Sequence, residues 1–175
     1  MKTDILSTVR QVTLYLLIVM TGLYAGIHFA GVLAPVQSKM TVTEYTSYWQ
    51  IVDGYMGQRM PIFGQIFLAL YAINILLFIK KWKTTTFWII LVCLALLLSD
   101  MVLTGIQQIP INQYIQSVDA KSLTSDQLTT LEEMKRQAEK NFGTRDMLSI
   151  ASFALLSLTP FLLWRQNKKI NSWDD

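Results

Sequence analysis

Four stretches of 18–22 residues, at 12–33, 62–79, 87–106 and 147–164, run almost free of charge. A helix needs about 20 mostly apolar residues to cross the hydrocarbon core of a bilayer. In that medium the backbone must satisfy its own hydrogen bonds, and a continuous apolar run of this length does so as a helix. The four segments predict an all-α, four-helix transmembrane bundle in a single domain. Composition agrees, because only 15% of residues are charged, where a soluble domain carries about 25%. Span one has no Asp, Glu, Lys or Arg, and span three has one acid, Asp100. Pro61 suits the first turn of span two, where its missing N–H has no partner to lose. Pro160 is expected to kink the last turn of span four.

Lys2 and Arg10 precede the first span, and Val32-Leu33-Ala34 ends on a small residue, as in a cleaved leader. The apolar part exceeds the usual 7–15 residues and Pro35 would follow the cut, so the segment is read as a retained span. The remaining basic residues give an orientation. Lys80, Lys81 and Lys83 sit in the short second connection, and Arg165, Lys168 and Lys169 follow span four. Cytoplasmic flanks carry the excess of Lys and Arg, which predicts an inner-membrane protein with both termini cytoplasmic. Trp82, Trp88 and Trp164 then form an aromatic belt near the cytoplasmic ends. The net charge of +3 is too small, and too divided among flanks, to argue for nucleic acid. The lipid bilayer is the expected partner, and self-association remains open. The single cysteine, Cys93, lies inside an apolar run and reads as a small hydrophobe.

The two longer connections read as short amphipathic helices lying across the outer mouth. Thr41 and Glu44 have capping-box spacing, and Tyr45, Tyr48, Trp49, Val52 and Met56 recur at three and four residues. Thr124 and Gln127 repeat the box ahead of Leu128, Leu131, Met134, Ala138 and Phe142. Gly143 then suits a helix stop.

Polar side chains inside a membrane are costly and normally face the bundle interior. Span one places Leu17, Thr21, Tyr24, His28 and Gly31 on one face, with His28 the only histidine. Gly22 and Gly26 lie on another face, where small residues let a second helix approach. Asp100 is followed by Thr104, Gln107 and Gln108 on its own face, and Pro110 is expected to end that helix before Asn112. Gln65 opens span two, and Asn141, Arg145 and Asp146 precede span four. With the termini inside, all of these fall in the outer layer. His28 and Asp100 are the candidate catalytic pair, a base and its orienting acceptor. Tyr24, Gln65, Gln107, Asn112, Asn141 and Arg145 are candidate substrate-binding groups, able to hold a carbonyl or an enolate-like anion. The same two groups also suit a structural interhelical hydrogen bond. One His and scattered acids make a poor metal set, and no phosphate loop is present, so no cofactor is expected.

Four short motifs resemble the anthrone oxygenase-like family of small four-span membrane proteins. They are Gly22 to Phe29, Arg59-Met60-Pro61-Ile62-Phe63, Ile109-Pro110-Ile111-Asn112 and Asn141-Phe142-Gly143-Thr144-Arg145. The resemblance implies a four-span fold and, from its characterised relatives, oxidation of an anthrone by molecular oxygen. A lipophilic small molecule would enter from the bilayer, with His28 as base, Asp100 as orienter, and Asn112 or Arg145 as anion holder. A non-enzymatic protein binding a lipophilic ligand or a partner is the alternative. A small transport or sensing subunit ranks last, because the chain shows no internal repeat.

Overall fold

The computed structural model describes the backbone of residues 5–171 and the side chains of residues 5–165. The side chains of Lys2, Lys168 and Lys169, expected to help set orientation, lie outside the described residues. Helix α1 (Ile5–Leu33) is followed by a single turn, α2 (Val36–Lys39), and then by α3 (Val42–Phe78). A 3-10 turn at Ile79–Lys81 leads to α4 (Thr85–Leu103). A π-helical turn at Thr104–Gln108 joins α4 to α5 (Ile109–Ser117). Helix α6 (Ser125–Ser157) and α7 (Thr159–Asn171) complete the chain.

Four of these rods are long and apolar enough to cross a membrane, and only 22–28% of their most apolar windows is buried inside the fold. Apolar surface this extensive and this exposed is stable only against lipid, so the chain is a multi-pass membrane protein. Helix α1 packs on α6 and α3, and α4 packs on the same two, giving a four-cornered bundle with α1 and α4 on a diagonal. Leu17, Phe67, Tyr71, Ile90 and Leu156 fill its centre.

Helix α3 has 37 residues, about 55 Å at 1.5 Å each, against about 30 Å of hydrocarbon. It and α6 therefore project from the bundle. Their projecting halves enclose α5 in a three-helix cap, with Tyr45, Trp49, Ile111, Ile115, Leu131 and Ala138 as its core. The amphipathic stripes expected across the mouth are thus present. They are the first halves of α3 and α6 rather than separate helices, which corrects the sequence reading. Both capping boxes form, Thr41 with Glu44 and Thr124 with Gln127.

Continuity across the expected breaks has local causes. Pro61 forfeits one bond, to the Gly57 carbonyl, in an exposed turn. Gly143 keeps helical angles, since no glycine has positive φ. An interior glycine costs about 1 kcal/mol against alanine. The unbroken face of Asn141, Arg145 and Ser149, four residues apart, outweighs that. At Pro110 the helix widens instead of ending. The Ile109 N–H reaches back to the Thr104 carbonyl, and Pro110 falls in the first turn of α5, where no N–H is needed. At Pro160 the expected kink is a full break between α6 and α7. The Thr159 hydroxyl donates to the Leu156 carbonyl at 2.7 Å, replacing the bond that Pro160 cannot make.

The basic end is fastened by Arg10, whose Nε donates to the Leu77 carbonyl at 2.9 Å, at the negative end of the α3 dipole. Asn74 donates to the Thr13 carbonyl at 3.1 Å and ties α3 to α1. In the cap, Asp119 accepts from the Lys121 N–H at 3.0 Å and the Ser122 hydroxyl at 2.8 Å.

Two outcomes are expected. A Cβ on Gly22 would lie 2.9 Å from the Phe153 ring of α6, whereas Gly26 has open space. Gly22→Leu should cost about 1–3 kcal/mol through overpacking, and Gly26→Leu should be near neutral, read from unfolding in detergent. The hydrogen bonds from Lys121, then Ser122, hold the Asp119 carboxyl below its usual value. A depressed folded value means that its stabilisation is full above the unfolded pKa of about 3.9 and fades as pH falls through the folded one. The Lys121 amide resonance should therefore stay fixed at neutral pH and move only in strong acid.

Candidate functional site

The polar groups of the upper bundle come from three helices. Tyr24 and His28 are four apart on one face of α1, and Asp100 lies near the end of α4. Arg145 and Asp146 are consecutive on α6, so they point about 100° apart, toward different neighbours. Arg145 turns to α4, where its Nε donates to Asp100 Oδ1 at 2.6 Å. Its Nη2 also reaches the Tyr24 oxygen at 3.3 Å. The Tyr24 hydroxyl donates to Asp100 Oδ2, joining the diagonal helices α1 and α4. Asp100 is buried, and the Arg145 side chain is 12% exposed. The carboxylate meets a permanent cation and a hydroxyl donor, which is what a buried charge requires.

Asp146 turns the other way, to α1. Its Oδ1 lies 2.8 Å from Nδ1 of His28, itself buried. The expected pairing of His28 with Asp100 is therefore corrected: Asp146 orients the histidine, because Asp100 is committed to Arg145 and Tyr24. Tyr24 links the two pairs, with its ring 4.8 Å from the imidazole in an edge-on contact. Its other neighbours are Phe63 and Phe67, at 6.0 and 5.9 Å.

The amide candidates form a second group, in the cap. Asn112 Oδ1 accepts from Trp49 Nε1 at 2.7 Å and Gln108 Nε2 at 2.8 Å. Asn112 Nδ2 donates to Asp53 at 2.6 Å. Asn141 donates to Gln108 Oε1 at 3.4 Å and accepts from Gln137 at 3.0 Å. Gln107 is exposed and accepts from Gln137 at 3.1 Å. Gln65 is exposed on α3 with no hydrogen bond among the described residues, so it joins neither group. The structure thus brings Tyr24, His28, Asp100 and Arg145 together and sets Asn112, Asn141 and Gln107 apart. Sequence reasoning named Asp146, Gln108 and Trp49 without counting them as site residues, and Asp53 and Gln137 were not site candidates either. Asp146 carried a signal, as an acid at the depth of the single histidine. Gln108 carried a partial signal, since spacing put it on the Asp100 face, but its bonds to Asn112 and Asn141 had no sequence marker.

Chemically, the His28–Asp146 pair is a base with its orienting carboxylate. With Asp146 accepting the Nδ1 proton, Nε2 holds the free lone pair, and no side chain bonds Nε2 among the described residues. No three His, Cys, Asp or Glu side chains converge among those residues. Tyr24 and Asp100 also border a void of about 10 Å³ on the bundle axis, room for about one water-sized molecule. A three-ring aromatic would have to meet His28 at the bundle's flank rather than inside it. No family model matches the chain, and no curated protein or solved structure matches it either.

Asp100→Ala should cost about 3–5 kcal/mol by stranding Arg145. Asp100→Leu combined with Arg145→Met should recover much of that loss, because no charge is left unpaired. Unfolding in detergent for the two single variants and the double variant checks this.

Proposed function

We propose that the chain is an inner-membrane protein with both termini cytoplasmic, performing base-initiated oxidation of a lipophilic anthrone- or phenol-like substrate at the outer mouth of its bundle. The observation that carries the reading is the His28–Asp146 pair, held at 2.8 Å with Nε2 unpartnered among the described residues. The basic residues of the Lys80–Lys83 connection, with Arg10 and Arg165, support the orientation. The short motifs around Gly22, Arg59, Pro110 and Asn141 support the substrate class through their likeness to the anthrone oxygenase-like family.

His28 Nε2 takes the proton from the methylene that faces the ketone across the central ring, and the electron pair left on carbon delocalises through the aromatic rings onto oxygen. That carbon bonds to dioxygen, and the resulting peroxide takes the proton back from His28 to give a hydroperoxide. Loss of one water then gives the quinone, so that anthrone and O2 yield anthraquinone and H2O. The Arg145 guanidinium, which reaches the oxygen of Tyr24, the residue one turn from His28 on α1, supplies positive charge toward the developing oxyanion. Asp146 keeps the imidazole in the tautomer that can accept the proton.

A second reading has its own support. The axial void is small, and Tyr24, Asp100 and Arg145 satisfy one another. These facts favour a protein that binds a lipophilic ligand or a partner without turning it over.

Oxygen uptake by the detergent-purified protein given a simple anthrone separates the two. Turnover should fall by about 10²–10⁴-fold in His28→Gln and less steeply in Asp146→Asn. Turnover unchanged in His28→Gln would sink the base assignment. No uptake, with tight binding of the anthrone that survives His28→Gln, would establish the second reading.

A further inference from the structure

The void on the bundle axis is bordered by all four spanning helices and by several hydroxyl groups. The protons of those hydroxyls are committed elsewhere. Thr21 donates to the Leu17 carbonyl at 2.7 Å, and Ser149 donates to the Asp146 carbonyl at 3.0 Å. Tyr24 donates to Asp100, and Ser152 pairs with Tyr71 at 3.4 Å. What they turn toward the void is carbon, and the ring of Phe67 with the side chains of Leu97 and Leu148 completes an almost wholly apolar wall. A buried water needs two to four polar partners, and an apolar void without them stays dry. The space therefore suits a small apolar molecule better than water, although Tyr24 and Asp100 stand at its edge.

We infer that this void is a binding site for dioxygen, between Phe67, Leu97 and Leu148, next to the Tyr24–Asp100 pair. The inference rests on the oxidation proposed above, which needs O2 as its electron acceptor. Dioxygen is nonpolar, close to water in girth and more soluble in hydrocarbon than in water, so the bilayer delivers it to the bundle. The site lies one helical turn from His28 along α1, with the Tyr24 ring between gas and base.

The test uses the full chain in nanodiscs with methyl-labelled leucines, under raised oxygen pressure. Paramagnetic relaxation should be stronger at the Leu97 methyls than at those of Leu14, also buried, and stronger at the Leu148 methyls than at those of Leu155, also half-buried; neither control borders the void. Leu148→Phe and, separately, Ser149→Val should fill the space and abolish the excess. Both should raise KM for oxygen several-fold while leaving kcat at saturating oxygen in place. Ser149→Val adds little bulk and guards against a folding failure in Leu148→Phe. Equal relaxation at all four leucines, or magnetisation transfer from water to the void methyls, would overturn the site. Excess relaxation without anthrone turnover would keep the gas site and remove the oxidation. Turnover without excess relaxation would do the reverse.

Discussion

The ion pair between Asp100 and Arg145 is the interaction on which the arrangement depends. An aspartate on an apolar helix is costly in hydrocarbon unless a cation meets it. The arginine that meets it belongs to α6, so α4 and α6 pack with these residues facing. Tyr24 then finds its acceptor only if α1 lies across the diagonal with its Thr21–His28 face turned inward. Once that face is set, His28 reaches the next residue of α6. One buried charge thus fixes the rotation of three helices, and the apolar core of Leu17, Phe67, Tyr71 and Leu156 fills space that the polar contacts have already defined.

The two storeys of the molecule follow different rules. Below the ion pair the helices pack through apolar side chains, with the Asn74–Thr13 contact as a polar tie. Above it, α3, α5 and α6 share a small core around Trp49 and Ile115 and a connected set of amides running from Asp53 to Gln137. The π turn at Thr104–Gln108 makes the transition possible. It lets α4 continue past Pro110 and brings Gln108 and Asn112 to bear on one another.

Much of this was legible in the sequence. Apolar run length marked the four spans, and capping-box spacing marked both starts in the cap, at Thr41 and Thr124. The depth argument correctly gathered Tyr24, His28, Asp100 and Arg145. What failed were local rules applied where tertiary contacts decide. Pro61, Gly143 and Pro110 each read as a boundary, yet each is crossed, because packing on both sides outweighs one lost bond or one costly glycine. The histidine's partner was misjudged because Asp100 has two acceptable mates and pattern alone cannot rank them. A permanent cation wins over a titratable ring. Gln65 was misplaced because depth says nothing about which way a side chain points around the helix.

The adjacency of Arg145 and Asp146 has a mechanical consequence. Two neighbouring residues of opposite sign, engaging two different helices, act on α6 as a pair of keys set a quarter-turn apart on a shaft. A twist of α6 about its own axis in either direction would withdraw both keys together, so no partial rotation is cheap. Because α6 is one continuous rod from the cap to the level of the ion pair and beyond, torque applied at the cap would be carried undiminished to those keys. It would be resisted there until both released at once.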